Sequence, residues 1–255
     1  MSGYAVKTTE SSKLRARLDH PVIDGDAHII ECAFVLPDFL KQVGGPDLVK
    51  RFDKAMKNSR PGDAKSNFWP AHNGKYTIYR LTTMLPALYE RRLDETGVDF
   101  STLYSTLGFH IQVMPDDEVR AAASRALNMM NTEIFKDVGR RMRPAALIPM
   151  HTPAEAIAEL EFAVNQLGMR AAMTCNEVLR PHPEVVANAP ELADYARHWT
   201  SLTLDRPYDY DPFWAKCVEL KIAPAWRERL SAPARSAWLR YCPTRLLATG
   251  VPIAT

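Results

Sequence analysis

Apolar and polar positions along this chain alternate between a strand-like and a helix-like period. Residues 22–28 (Val-Ile-Asp-Gly-Asp-Ala-His) read as a short strand. Residues 34–43 read as a short helix. The stretch from Gly44 to about Tyr79 is mixed, with Arg60-Pro61-Gly62-Asp63 and Trp69-Pro70 as turn signals. Excursions of that length in compact domains are often functional. Residues 81–95 predict a helix stopped by Gly97, and residues 98–104 the next strand. Residues 116–141 carry the clearest helical spacing. They open with Asp116-Asp117-Glu118, which suits a helix N-terminus, and close on Arg140-Arg141-Met142-Arg143. A third strand follows at 144–149, a helix at 153–167 closed by Gly168, and a fourth strand at 169–174. Arg180-Pro181-His182-Pro183 opens a second irregular region. Asp211-Pro212-Phe213 then starts a helix through Leu220, and residues 222–225 give a fifth strand.

Strands alternating with helices imply a parallel sheet covered by helices. No GxGxxG follows the first strand, and an acid–imidazole pair sits at its C-terminal end. Barrel enzymes place their chemistry at that end. The expected fold is therefore α/β: a partial (β/α)8 TIM barrel, about the first five βα units. The expected organisation is a polar N-terminal arm over 1–20, the barrel part over 21–225, and an Arg/Ala/Pro-rich tail over 226–255.

Composition narrows the partners. The 255 residues are 46% hydrophobic and 24% charged, with a formal net charge of +2, so no general case arises for nucleic acid or a membrane surface. No apolar run approaches the roughly 20 residues that span a bilayer. The first twenty residues lack a signal-peptide core and read as a mobile arm of a cytoplasmic protein. Cys32, Cys175, Cys217 and Cys242 form no CxxC pair and are expected as reduced thiols. The arginines at 140, 141 and 143 suit a helix C-terminus without nucleic acid, and Met129, Met130 and Met142 read as core.

The candidate chemistry gathers at strand ends. Residues two apart in a strand share a face, so Asp24, Asp26 and His28 are expected on one side, where Asp26 and His28 can hold a metal ion. Asp24 itself reads as a buried structural acid. No catalytic residue is assigned outright; Glu31, His110 and His151 are the candidates. Glu31 lies three residues beyond His28, as a base, a support for a ligand, or a surface residue. His110 follows the second strand and His151 ends the third, each either a substrate contact or an ordinary loop imidazole. Arg180, after the fourth strand, can pair with a substrate carboxylate or be a solvated arginine. His72, with Trp69 and Tyr76, either caps a pocket or is a polar residue satisfied under a loop.

The segment VIDGDAHIIE resembles the opening of the amidohydrolase-related (amidohydrolase 2) family. Its members are metal-dependent hydrolases and decarboxylases similar to aminocarboxymuconate semialdehyde decarboxylase. The resemblance continues through RRLDETGVDFSTLYSTLG and ALNMMNTEIFKDVGRRMRPAALIPMHTPAEAIAELEFAVNQLGMRAAM, and ends near DPFWAKCVELKIAPA. It implies Asp26 and His28 as the first two metal ligands, with zinc as the default ion and manganese as the other choice. It also implies a third ligand, a His, at the fifth strand, and a catalytic Asp at the eighth. Here the fifth strand runs into Trp226-Arg227-Glu228-Arg229. No His follows residue 198, and Glu228 comes too early for the eighth strand. Residues 226–255 carry five Arg, no Lys and one Glu, without a clear period. The expectation is a frameshift or truncation near residues 224–226, to be checked by translating the encoding DNA in the other frames.

The resemblance implies a metal-dependent hydrolase or carboxy-lyase acting on a small organic acid, with a small-molecule carboxylate as substrate. The alternative is a non-catalytic barrel remnant or an interaction partner of full-length homologues. Exposed sheet edges would then favour a homo-oligomer.

Overall fold

The computed structural model describes residues 4–59, 74, 77–138, 140–193, 195–203 and 207–227. His72, Trp69, Tyr76, Cys242 and the tail beyond Arg227 lie outside the described residues.

Residues 4–18, expected as a mobile arm, are docked. Helix α1 (Glu10–Arg15) is closed at its start by a reciprocal Thr9–Ser12 capping box. The Tyr4 hydroxyl donates to Glu95, the Thr9 hydroxyl to the Glu95 carbonyl, and Arg15 pairs with Asp99. The contact is close. Gly97, at φ +72, would with a Cβ meet the Ser11 carbonyl oxygen at 2.6 Å.

Strand β1 (Ile23–Ile29) leads to α2 (Leu36–Ser59). This helix is two pieces joined at Gly45, φ +79, with Pro46 restarting it. The second piece corrects the mixed reading from Gly44 onward. Leu48 and Phe52, one turn apart, are buried on it. Helices α3 (Thr77–Met84) and α4 (Pro86–Thr96) replace the single helix expected over 81–95, because Pro86 lacks the amide that would continue it.

Strand β2 (Phe100–Ser105), the short α5 (Gly108–Ile111) and α6 (Asp117–Phe135) follow. Strands β3 (Met142–Pro144) and β4 (Ala146–Leu147) are consecutive pieces of one path. The Ala145 amide bonds back to Leu103 O and the Ala146 amide forward to Ala171 O. Helix α7 (Pro153–Glu161) runs into a π-helical turn. Then come β5 (Ala172–Cys175), β6 (Glu177–Pro181), α8 (Pro183–Asn188), β7 (Arg197–Ser201), α9 (Asp211–Glu219) and β8 (Pro224–Arg227).

The strands pair in parallel as β1-β2-β3 and β4-β5-β8, joined where β3 passes into β4. This is the partial barrel of five βα units. The antiparallel β6–β7 ribbon lies in the second region expected to be irregular. Ala27, Ile29, Leu103 and Met142 pack with Leu93 of α4 and Phe135 of α6. Ala146, Ile148 and Ala172 pack with α7 and α9 through Leu160 and Phe213. On the other face Leu147 and Met173 join α2, α5 and α6. No helix among the described residues is long and apolar enough to cross a membrane.

Candidate active site

β1 carries one residue more than β2 opposite it. Asp24 pairs with Ser101, yet Ala27 already pairs with Leu103. A bulge of this kind reverses the facing of whatever precedes it. Asp24 therefore shares a face with Ala27, and the expectation that Asp24, Asp26 and His28 line one side is corrected for Asp24. It is half-buried rather than buried, and its Oδ1 accepts the Asp26 amide at 3.0 Å. That bond supports the bulge.

Asp26, within the bulge, still lies on the side of His28. His28 Nε2 and Asp26 Oδ1 are 4.0 Å apart, the Asp side chain 71% exposed and the imidazole 19%. Two metal bonds of about 2.1 Å span up to roughly 4.2 Å, so this pair can grip one ion. The Tyr104 ring lies beside His28, centroids 6.3 Å apart. Among the described residues no third His, Cys, Asp or Glu joins the pair. A catalytic ion takes about three protein ligands. The described residues thus supply part of a metal site and do not by themselves fit a catalytic ion.

Glu31 reaches the neighbouring strand end. Its Oε2 accepts the Leu107 amide at 3.0 Å, while the Thr106 hydroxyl holds Ile29 O at 2.6 Å. Burial pushes the carboxyl up to about 6, against the opposing pull of the Ser105 hydroxyl and the Leu107 amide. His110 lies on α5, three residues past Leu107, and is exposed. Glu31 is thereby anchored at the N-cap of α5, the helix that carries His110.

His151 and Arg180 form a second group. His151, just past β4, is 7% exposed, and neither ring nitrogen has a hydrogen-bond partner among the described residues. Burial lowers its pKa to about 2, aided by the charges of Arg120, Arg180 and Arg197; the Leu179 carbonyl acts the other way, outside hydrogen-bonding geometry. Arg180 Nη2 donates to His151 O at 2.5 Å and to the Tyr210 hydroxyl at 3.0 Å, and its guanidinium stacks on Tyr208. The Tyr210 hydroxyl donates to Met150 O at 2.6 Å. These bonds fasten β6–β7 and the approach to α9 over the end of β4.

Sequence reasoning missed Tyr210 and Arg120. Arg120 sits in the first turn of α6, where a cation opposes the helix dipole, and that misfit is the signal that marks it. It is 1% exposed and paired with Glu155 and Asp117.

A parallel sheet whose first strand ends in an acid–imidazole pair defines a partial barrel of the metal-dependent hydrolase class. A family model described as Amidohydrolase matches residues 23–223, and the chain belongs to that family. Curated proteins give no match. Solved structures do. One is 5-carboxyvanillate decarboxylase from Novosphingobium aromaticivorans, complexed with manganese and 4-hydroxy-3-methoxy-5-nitrobenzoic acid. It is 12% identical, with 93% of this chain and 58% of that chain covered and a TM-score of 0.53. 5-Carboxyvanillate decarboxylase from Sphingomonas paucimobilis is 18% identical, with 87% and 56% covered and a TM-score of 0.52. 2,6-Dihydroxybenzoate decarboxylase from Rhizobium is 18% identical, with 87% and 54% covered and a TM-score of 0.49. The chain spans a little over half the length of these structures, and the first two likenesses show the fold.

Proposed function

We propose that this chain contributes the Asp26–His28 part of a divalent-metal site in an amidohydrolase-family hydrolase or carboxy-lyase acting on a small organic acid. The observation that carries the reading is the 4.0 Å spacing of Asp26 Oδ1 and His28 Nε2 at the C-terminal end of β1. Zinc suits a carboxylate–imidazole pair, and manganese is the ion named with the Novosphingobium decarboxylase. The names of the structural neighbours favour the carboxy-lyase form and an aromatic acid. Glu31 supports either chemistry: a carboxyl near pKa 6 can hold or release a proton near neutral pH. His110 and His151 stay as candidate substrate contacts.

The test is metal analysis of the purified full chain and of Asp26→Asn and His28→Ala. The reading expects about one ion per chain in the parent and at least tenfold less in both variants. Equal metal in parent and variants overturns it. A second reading, a non-catalytic remnant that pairs with other chains, is favoured by one fact: among the described residues only two donors converge. It expects no metal and a large assembly. A cytoplasmic location stays an expectation of the sequence.

A further inference from the structure

Buried imidazoles normally satisfy at least one ring nitrogen. Among the described residues His151 satisfies neither. An unmet buried donor or acceptor is costly, so a missing partner is the direct explanation. The surroundings define its sign. Arg120, Arg180 and Arg197 all lie close enough to disfavour a proton on the ring. Arg120 has carboxylates in Glu155 and Asp117. Arg180 has none among the described residues: its Nη2 binds a carbonyl and a phenol, and its Nε is buried without a partner. A partly buried guanidinium without an acid calls for an anion.

A cation is excluded from this place by the same arginines. Cys175, at the end of β5, feels Arg180 and Arg120, yet burial holds its thiol up at about 12, so it offers no thiolate to a metal. Arg180 itself is only partly buried. Tyr208, stacked 5.0 Å over Arg180, is 42% exposed. The location is the start of α7, whose N-cap Thr152 follows His151 directly, and a helix N-terminus adds attraction for negative charge.

We propose that His151 and Arg180, under the β6–β7 ribbon and beside Tyr208, form an oxyanion-binding site for a small carboxylate, separate from the Asp26–His28 pair. The identity of the ligand as the substrate's own carboxylate rests on the small-acid reading above; the binding of an oxyanion does not. Two sources share this chemistry, an organic acid and free phosphate.

The experiment uses the full chain with divalent ions removed by chelation, so that failure of the metal reading leaves it intact. Sodium benzoate and inorganic phosphate are titrated separately by calorimetry at pH 7.5. A saturable isotherm with benzoate, at least tenfold weaker in Arg180→Lys and in His151→Gln and unchanged in Asp26→Asn, is the expected result. Benzoate binding without phosphate binding assigns the site to an organic acid. Binding of both assigns it to oxyanions at large and supports the site. The folded state of each variant is confirmed by circular dichroism, and the parent protein decides the matter alone if a variant does not fold. No saturable binding of either anion to the parent, or binding that both variants retain, overturns the proposal.

Discussion

Replacing Asn128 with Leu tests how the middle of the sheet is held. Asn128 lies on α6, fully buried. Its Oδ1 accepts the Leu147 amide at 2.7 Å and its Nδ2 donates to Leu147 O at 3.0 Å, as a peptide of an adjacent strand would. The same Nδ2 donates to Glu159 Oε1 at 2.8 Å. One side chain thus ties β4 to α6 and to α7. Leucine fits the volume and removes all three bonds, leaving a strand amide, a strand carbonyl and a carboxyl without this partner. At about 1–3 kcal/mol for each buried group left unmet, the gross cost is several kcal/mol. The added apolar burial returns about 1–2 kcal/mol. The net expectation is a loss of about 3 kcal/mol, a large part of the roughly 5–15 kcal/mol that domains possess. Urea unfolding followed by circular dichroism and by tryptophan fluorescence measures it. With a slope of about 2 kcal/mol per molar, the midpoint falls by roughly 1.5 M. A midpoint shift below about 0.3 M with an unchanged slope refutes the reasoning, because it means that the amide holds nothing.

The neighbouring Glu159 predicts a pH dependence. Burial raises it to about 7 from the ordinary 4.5, against the opposing pull of Asn128 and Arg125. The folded chain then binds a proton that the unfolded chain has released. Stability is full below about pH 4.5, falls as pH rises, and levels off above about 7, a change of about 3 kcal/mol. In Glu159→Gln the decline between pH 6 and 7 vanishes in urea midpoints taken across that range; the part below pH 6 survives, because Glu31 titrates there in the same sense. Tyr210→Phe removes the bonds to Met150 O and from Arg180 and lowers stability by about 1–2 kcal/mol. Limited proteolysis within residues 176–203 speeds up in that variant, and an unchanged cleavage rate speaks against the clamp.

The parts of the fold visible in the sequence are those whose signal is local. Strand β1, helix α6 with its acidic first turn, and α9 with Pro212 are near their expected places because period and capping chemistry lie within a few residues. The second piece of α2 was hidden by stronger punctuation. Leu48 and Phe52 stand at helical spacing, but Gly44-Gly45-Pro46 before them and Arg60-Pro61-Gly62 after them mark turns. The β6–β7 ribbon was hidden by Pro181 and Pro183 and by a connection of fifteen residues, so neither strand marks the other. In the site, the Asp26–His28 pair was legible because the alternation from residue 26 to residue 28 is kept. The reversal of Asp24 was not, because Gly25 carries no side chain to register a bulge. The Arg180–Tyr210–His151 contacts join residues up to 59 positions apart, and no local pattern reports them.

The two groups at the barrel's C-terminal pole differ in the charge they accept, and their separation constrains what joins them. Asp26 and His28, on β1, are proposed to take a cation. His151 and Arg180, beyond β4 and β5, face an anion. Between β1 and β5 lie three strand steps, at about 4.8 Å each, or roughly 14 Å along the sheet. A small organic acid is shorter than that along a flat surface. A curved sheet shortens the chord, and barrel closure requires strand tilt and curvature. A carboxylate held at Arg180 therefore places the rest of its molecule at β1 only to the extent that the sheet curves. That ties the two sites to one geometric condition: benzoate that binds more tightly once a divalent ion is present marks a single ligand-sized pocket, and independent binding marks two.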